Sequence, residues 1–335
     1  MLVNKNFAFA GCLALSALAM TGCGGGGGDN NAGNPNNPGG DPGTGDISVG
    51  GQEITAEEFA LLTQTGTWRV IDGVDFEFSL SQDGFTNESA IEGNFSTTIA
   101  VTHNSNTDIL VEECSDFETE VNDDPELEED DIFDEDDFSD GEGNPICESQ
   151  EVKYFKVGDN GFRVDVMCDD DRMAFMSAAK LKNEANLGFG SLNFTSNQIS
   201  GHSNNSSACA SISNFEHEST FTIPGEEPQS VEVSETDIAI AAPYQGGKIV
   251  FEFNLIDDLR SGTFNVVDGF PQEDDEVEVG VFSPVFGGSA TDPDGVFGTS
   301  GTVTIDSISQ TAVKGSFNFL TNSGDTMTGS FNVSF

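Results

Sequence analysis

Apolar and polar residues alternate with a period of two along much of this chain, and no other feature restricts its fold so strongly. Val74, Phe76, Phe78 and Leu80 fall on one face of an extended segment, with polar or acidic residues between them. Comparable runs occupy Phe95 to His103, Thr107 to Val111, Val152 to Val157, Phe162 to Cys168, Arg172 to Ala178 and Gly188 to Phe194. A helix cannot sort such a pattern onto one side, whereas a half-buried strand does so automatically. Asn104-Ser105-Asn106 and Gly158-Asp159-Asn160-Gly161 supply turns between successive runs. The expected fold is mainly β, an antiparallel sandwich or barrel.

The chain has 335 residues, enough for one large domain or two modest ones. Its 59 acidic and 11 basic side chains give a formal net charge of -48. Nucleic acid and anionic lipid surfaces need positive charge from a partner, so both are excluded as ligands. Polyanionic chains are commonly disordered, but 28 Phe in strand-like runs supply enough apolar surface for a core. Such acidity favours solubility and suits a salty exterior that screens it.

The first 22 residues read as an export signal. Lys5 gives a positive start, and the apolar stretch Phe7 to Met20 is too short to span a bilayer. It ends in Met20-Thr21-Gly22-Cys23, which resembles the bacterial lipobox, with Met20 in place of the usual Leu. The resemblance implies cleavage between Gly22 and Cys23 and lipidation of Cys23, which gives a membrane anchor. Gly24, rather than Asp, follows the cysteine. In that family this implies sorting to the outer membrane, with the protein facing the periplasm or the cell surface. Residues 23–51 then form the lipidated end and a flexible Gly/Asn/Pro-rich linker. Such a linker reaches roughly 30 Å.

Residues 52–223 are expected to form a first β domain. Thr55-Ala56-Glu57-Glu58 reads as a capping box opening a short helix that ends near Gly66. The Gly66-Thr67-Trp68 that follows is similar to the start of lipocalin-like barrels, in which the Trp closes one barrel end. A buried Trp on a first strand is the plainer reading. An acidic insertion, 115–146, interrupts the strands, and fifteen of the twenty-five residues from Glu118 to Glu142 are acidic. Carboxylates in that density suit loose Ca²⁺ binding, but the spacing matches no EF-hand, and a solvated acidic insertion is the plainer reading than a specific calcium site. No other cofactor is indicated.

Cys114, Cys147, Cys168 and Cys209 are the disulfide candidates, an even number in an exported chain. Three connectivities are possible. Sequential pairing, Cys114 with Cys147 across the insertion and Cys168 with Cys209, is the expectation. Cys114–Cys168 with Cys147–Cys209 is its main competitor.

A boundary is placed at Pro224 to Pro228, and 228–335 are expected to form a C-terminal β domain of seven short strands. A five-residue word recurs there: Gly262-Thr263-Phe264-Asn265-Val266, Gly315-Ser316-Phe317-Asn318-Phe319 and Gly329-Ser330-Phe331-Asn332-Val333, with Gly190-Ser191-Leu192-Asn193-Phe194 as a relative. The third and fifth residues should face inward and the Asn outward, with Gly allowing a bend or bulge. The tail from Gly301 to Phe335 is similar to that of uncharacterised β-rich bacterial lipoproteins.

No catalytic motif emerges. His103, His202 and His217 sit in no HExxH or Gly-x-Ser-x-Gly context and read as surface or turn residues. Asp292-Pro293-Asp294-Gly295 reads as a turn. The function expected is that of an outer-membrane, lipid-anchored, non-enzymatic binding or surface module, with an unnamed protein or small-molecule partner. The alternatives are a structural acidic lipoprotein with weak divalent-cation binding, and an unrecognised hydrolase.

Overall fold

The computed structural model describes residues 50–334 apart from 63, 83–84, 104–108, 117–118, 123–149, 169–170, 198, 203–206, 223–227, 257–259, 290, 292 and 310. Cys23, the linker, Cys147 and most of the acidic insertion therefore lie outside the described residues. The fold is mainly β, as the alternation requires. Among the described residues, eighteen strands are joined in one hydrogen-bonded network, and all but one of their pairings are antiparallel.

The strands are β1 (Gln52–Ile54), β2 (Gly66–Gln82), β3 (Phe85–His103), β4 (Ile109–Glu113), β5 (Thr119–Asn122), β6 (Gln150–Val157), β7 (Gly161–Cys168), β8 (Asp171–Lys182) and β9 (Gly190–Thr195). They continue as β10 (Ser200–His202), β11 (Cys209–Thr222), β12 (Gln229–Tyr244), β13 (Gly247–Ile256), β14 (Gly262–Val266), β15 (Glu276–Phe282), β16 (Gly295–Ser309), β17 (Ala312–Thr321) and β18 (Thr326–Ser334). The only helix among the described residues, α1 (Ala56–Ala60), starts on the expected capping box. Glu58 N donates to Thr55 Oγ1 at 3.2 Å and Thr55 N to Glu58 Oε2 at 3.1 Å. The helix stops after five residues, earlier than expected, with Leu61 as its C-cap.

The apolar runs around 74–80 and 95–103 prove to be parts of one long hairpin, β2 with β3, paired from Gly66↔Val101 to Gln82↔Phe85. β2 takes β8 on its other edge, and β7, β6 and β1 follow outward. One face of this sheet is sealed by α1. Phe59 packs edge-on against Phe162 with ring centroids 4.9 Å apart and also meets Tyr154 at 4.9 Å. Trp68 is 3% exposed, 5.4 Å from the Phe162 ring, and donates from Nε1 to Gln64 O at 3.0 Å. It is a buried strand Trp under a helix, the plainer of the two expectations.

β3 passes the sheet on through β11 to β12, β13, β15, β16, β17, β18 and β9. These last eight strands curl round one apolar core that includes Phe251, Phe253, Phe317, Phe319 and Phe331. Among the described residues they meet again only at a single bridge, Gly190 with Ala208, and no continuous ladder there closes the ring. β14 wedges in where β15 and β16 splay, antiparallel to β16 and parallel to β15. The core of the C-terminal strands also takes in Leu192, Phe194, Ala210 and Ile212 from β9 and β11. The strands on either side of residues 224–228, β11 and β12, pair directly with each other.

Candidate functional site

Three places concentrate chemistry: the fork where β4 and β11 meet β3, the buried carboxyl of Asp72, and the outward face of the C-terminal strands.

The fork follows from register. β3 offers one edge to two strands in turn. β11 occupies it up to Ile212↔Ser96, and β4 takes over from Glu113↔Ile99. Both strands cannot hold the same stretch, so β11 leaves β3 where β4 begins. That divergence puts Cys114, just after β4, beside Cys209, the first residue of β11. They form a disulfide with Cα atoms 5.8 Å apart, and both are buried. Neither the sequential pairing nor its competitor anticipated this, because cysteine spacing carries no information about strand order. Cys168 is also disulfide-bonded. Lys248 braces the same fork, and its Nζ donates to the carbonyls of Glu113, at 2.9 Å, and Asp116, at 2.5 Å. Burial pulls the Lys248 ammonium below its ordinary value, while Glu112, Asp116 and Glu113 push the other way.

Asp72 sits in the middle of β2, between Phe95 on β3 and Met176 on β8. It is 3% exposed, and neither carboxylate oxygen has a hydrogen-bond partner among the described residues. Burial, reinforced by the charge of Glu113, holds its carboxyl well above the usual range. No sequence signal marked it. By contrast, Arg163 and Asp165 on β7 form a buried ion pair at 2.8 Å, and the guanidinium lies 4.3 Å from the centre of the Phe155 ring.

The histidines stand in strands rather than turns. His103 ends β3 and His202 ends β10. His217 lies within β11, paired with Ile91 and Val233, and its Nε2 is 2.8 Å from Ser219 Oγ. Ser219 is buried and also contacts Ser89 Oγ at 2.8 Å. This contact ties neighbouring strands together. A serine nucleophile needs an exposed hydroxyl and unengaged N–H groups for an oxyanion, whereas Ser219 lies between two paired strands. Asp294 immediately precedes β16, its N donating to Gly287 O at 3.1 Å, and Pro293 forms an isolated bridge with Gly288; Asp292 lies outside the described residues. No group of three or more His, Cys, Asp or Glu side chains among the described residues could hold a metal ion.

The recurring five-residue word acquires its meaning on the C-terminal strands. Its third and fifth residues point inward as expected: Phe317, Phe319, Phe331, Val333, Leu192, Phe194, Phe264 and Val266 are all buried. Gly190 and Gly262 open β9 and β14, as expected, whereas Gly315 and Gly329 lie inside β17 and β18 beside inward rings. A Cβ on Gly329 would come within 2.4 Å of the Phe317 ring, and one on Gly315 within 2.6 Å of the Phe331 ring. Gly315 and Gly329 each make room for a Phe of the adjacent strand.

The same register builds the outward face. Asn193, Ser330, Ser316, Thr304 and Thr263 stand side by side across β9, β18, β17, β16 and β14. Thr195, Thr328, Asn318, Thr302 and Asn265 form the next row over the same five strands. All ten are Ser, Thr or Asn in a chain with 59 acids. All are exposed except Asn193 and Thr304, which are half-buried. Thr328 Oγ1 donates to Asn318 Oδ1 at 3.1 Å, and the Thr263 and Thr304 hydroxyls are 3.1 Å apart. Charges occur at the margins: Asp275, which accepts from Asn265 Nδ2, and the Lys314–Asp306 pair at 4.0 Å. The outward positions of β12, β13 and β15 are different, carrying Glu235, Asp237, Glu252 and Glu278.

No family model matches this chain, and no curated protein does. Among solved structures it is similar to isotype 1 transferrin binding protein B from serogroup B Neisseria meningitidis, at 8% identity over 81% of this chain and 76% of that one, with a TM-score of 0.13. A likeness at that score carries no argument about fold or function.

Proposed function

We propose that the protein is a lipid-anchored envelope module that works by surface contact rather than by catalysis. Its anchor is Cys23, freed by cleavage after Gly22, and its location is the outer membrane. The observation that carries the contact reading is the division of the outward strand positions. One side of the C-terminal strands is uncharged and hydrogen-bonding, and the other is acidic. Most of its inward apolar residues fill its own cores, and its outward faces are what it offers to partners.

The test is palmitate labelling of cells making the full chain. Label should appear on the protein in the outer-membrane fraction, and Cys23→Ala should abolish both label and membrane retention. A mature protein recovered freely soluble, or label that survives in Cys23→Ala, overturns the reading. The second reading, a structural acidic lipoprotein that collects divalent cations, is favoured by the carboxylates of 118–142.

A further inference from the structure

We infer that the free edge of β2, from Asp75 to Gln82, takes up an extended segment of another protein in which basic and apolar residues alternate. The inference rests on the contact reading above and names a partner class. β2 outlasts its neighbour on that side. Its ladder with β8 ends at Val74↔Ala174, near the end of the β7–β8 hairpin at Cys168↔Asp171, whereas its ladder with β3 runs on to Gln82↔Phe85. Among the described residues, Asp75 to Gln82 therefore pair on one side only, over about 27 Å of strand. No other described strand leaves so long a stretch of edge open. The corresponding stretch of β12 is shorter, Gln229 to Ser234, and β1, β5 and β10 have only three or four residues in all.

An open edge presents a row of backbone N–H and C=O groups to any strand that arrives. Native edges are commonly blunted by Lys, Pro or a bulge. Asp75 to Gln82 contain neither Lys nor Pro, and their register against β3 is unbroken. The sheet beyond Val74, made of β2, β3, β11 and β12, then selects the sequence of the incoming strand. Asp75, Glu92 and Glu216 stand in one row across β2, β3 and β11, and Glu77, Glu218 and Glu232 belong to the next row of the same face. Residues 75–93 and 215–235 contain no Lys or Arg to balance them. The alternate positions of β2 hold Phe76, Phe78 and Leu80, and the row of Phe76 continues through Ile91 to Val233 across the sheet. A strand added beside β2 extends both sets of rows, because successive residues of a strand fall on opposite faces. Opposite charges and apolar pairs stabilise neighbouring strands, and like charges destabilise them. Basic residues therefore fit beside Asp75 and Glu77, and apolar residues fit beside Phe76, Phe78 and Leu80. Main-chain bonds supply affinity in this mode of recognition, and the alternating side chains supply selectivity.

A second copy of this chain fits the edge less well. Two β2 edges paired about a twofold axis would set Asp75 and Glu77 on the same face as their own copies, between molecules that each carry a formal charge of -48. The charge that repels another copy attracts a basic segment.

The test is fluorescence anisotropy of the full lipidated chain in detergent with a labelled peptide in which Lys and Val alternate over the length of the edge. The peptide should bind. A peptide of the same composition with its lysines and valines in separate blocks should bind at least about tenfold more weakly, since it cannot place charge and apolar groups on opposite faces. N-methylation of the alternating peptide keeps its charge and side chains but removes its N–H donors, and should also weaken binding at least about tenfold. Asp75→Lys with Glu77→Lys should weaken it about tenfold by turning attraction into repulsion at the edge. Asp159→Lys with Asp268→Lys makes the same change in net charge at exposed positions elsewhere and should leave binding in place. An unchanged melting temperature and strand content by circular dichroism show that the edge variant is folded. Equal binding of the block or N-methylated peptide would reduce the effect to bulk charge and overturn the inference. Equal binding by the edge variant, or no binding of the alternating peptide, also overturns it. So does self-association that the alternating peptide competes away, which would assign the edge to a second copy. If the peptide fails to bind while Cys23-dependent palmitate labelling holds, the edge reading is wrong and the anchored-module reading stands.

Discussion

At the scale of single residues, the molecule depends on what is missing as much as on what is present. Gly329 lies under the Phe317 ring, and the space a Cβ would need is also taken by Asn193 O, 2.5 Å from where that atom would sit. Gly329→Ala should therefore cost about 1–3 kcal/mol by overpacking. Ser330→Ala, one residue on and facing outward, should cost little. Chemical denaturation of the two variants checks this, and equal midpoints would refute the steric account. Asp72 is the opposite case, a group retained at a cost. Its carboxyl is raised above its unfolded value, so the stability it contributes is fully present below the ordinary carboxylate range. That stability is lost as pH rises through the raised folded value. Asn has nearly the same shape and cannot ionise. Asp72→Asn should gain melting temperature over the wild type as pH climbs from acid to neutral. A difference that is constant across that range would show that Asp72 does not titrate with folding.

At the scale of elements, one edge of β3 decides the covalent framework. Because β4 and β11 share that edge end to end, the Cys114–Cys209 bridge ties segments 95 residues apart in sequence. Chain-entropy reasoning puts a loop of that length at about 4–5 kcal/mol. Cys114→Ser and Cys209→Ser should each lose about that much, and the double variant no more than either alone. Additive losses would mean the two do not act as one bridge. Non-reducing peptide mapping should recover Cys114 with Cys209, which leaves Cys147, of the four candidates, for Cys168. This fork also marks the limit of what the sequence makes legible. All seven C-terminal strands, the capping box of α1 and the inward residues of the five-residue word follow from local periodicity and side-chain chemistry. Strand order does not. Nothing near Cys114 says that β11, about a hundred residues later, will leave β3 at Ser96, three residues before β4 takes over at Ile99. Nor does anything near Ser316 say that Thr304 and Ser330 will flank it. The uncharged face was invisible for that reason: its rows are assembled from five separate segments, none unusual by itself. Asp72 was equally hidden: its parity with Val70 and Val74 puts it on the apolar side of β2, but nothing local says that its carboxyl will be buried there without a hydrogen-bond partner among the described residues.

At the scale of the whole molecule, the charge imbalance opposes the compact state. With 59 acidic and 11 basic side chains, folding brings carboxylates closer together than they lie in the extended chain. Glu235 shows the strain locally: burial and the nearby Glu278 raise its carboxyl above the ordinary value. Monovalent salt shortens the range of this repulsion to about 10 Å at 0.1 M and about 3 Å at 1 M. The melting temperature should therefore rise with NaCl. The rise should flatten once screening reaches the spacing between neighbouring carboxylates. Ca²⁺ at matched ionic strength then separates general screening from binding. A cation that binds only the folded state adds stability that grows with the logarithm of its concentration. Screening alone gives the NaCl curve whichever cation is used. A Ca²⁺ curve that lies on the NaCl curve would remove the cation-collecting reading and leave the acidity with a purely solvating role. A Ca²⁺ curve that continues to climb, and falls back when the carboxylates of 118–142 are changed to amides, would make that segment a binding element in its own right.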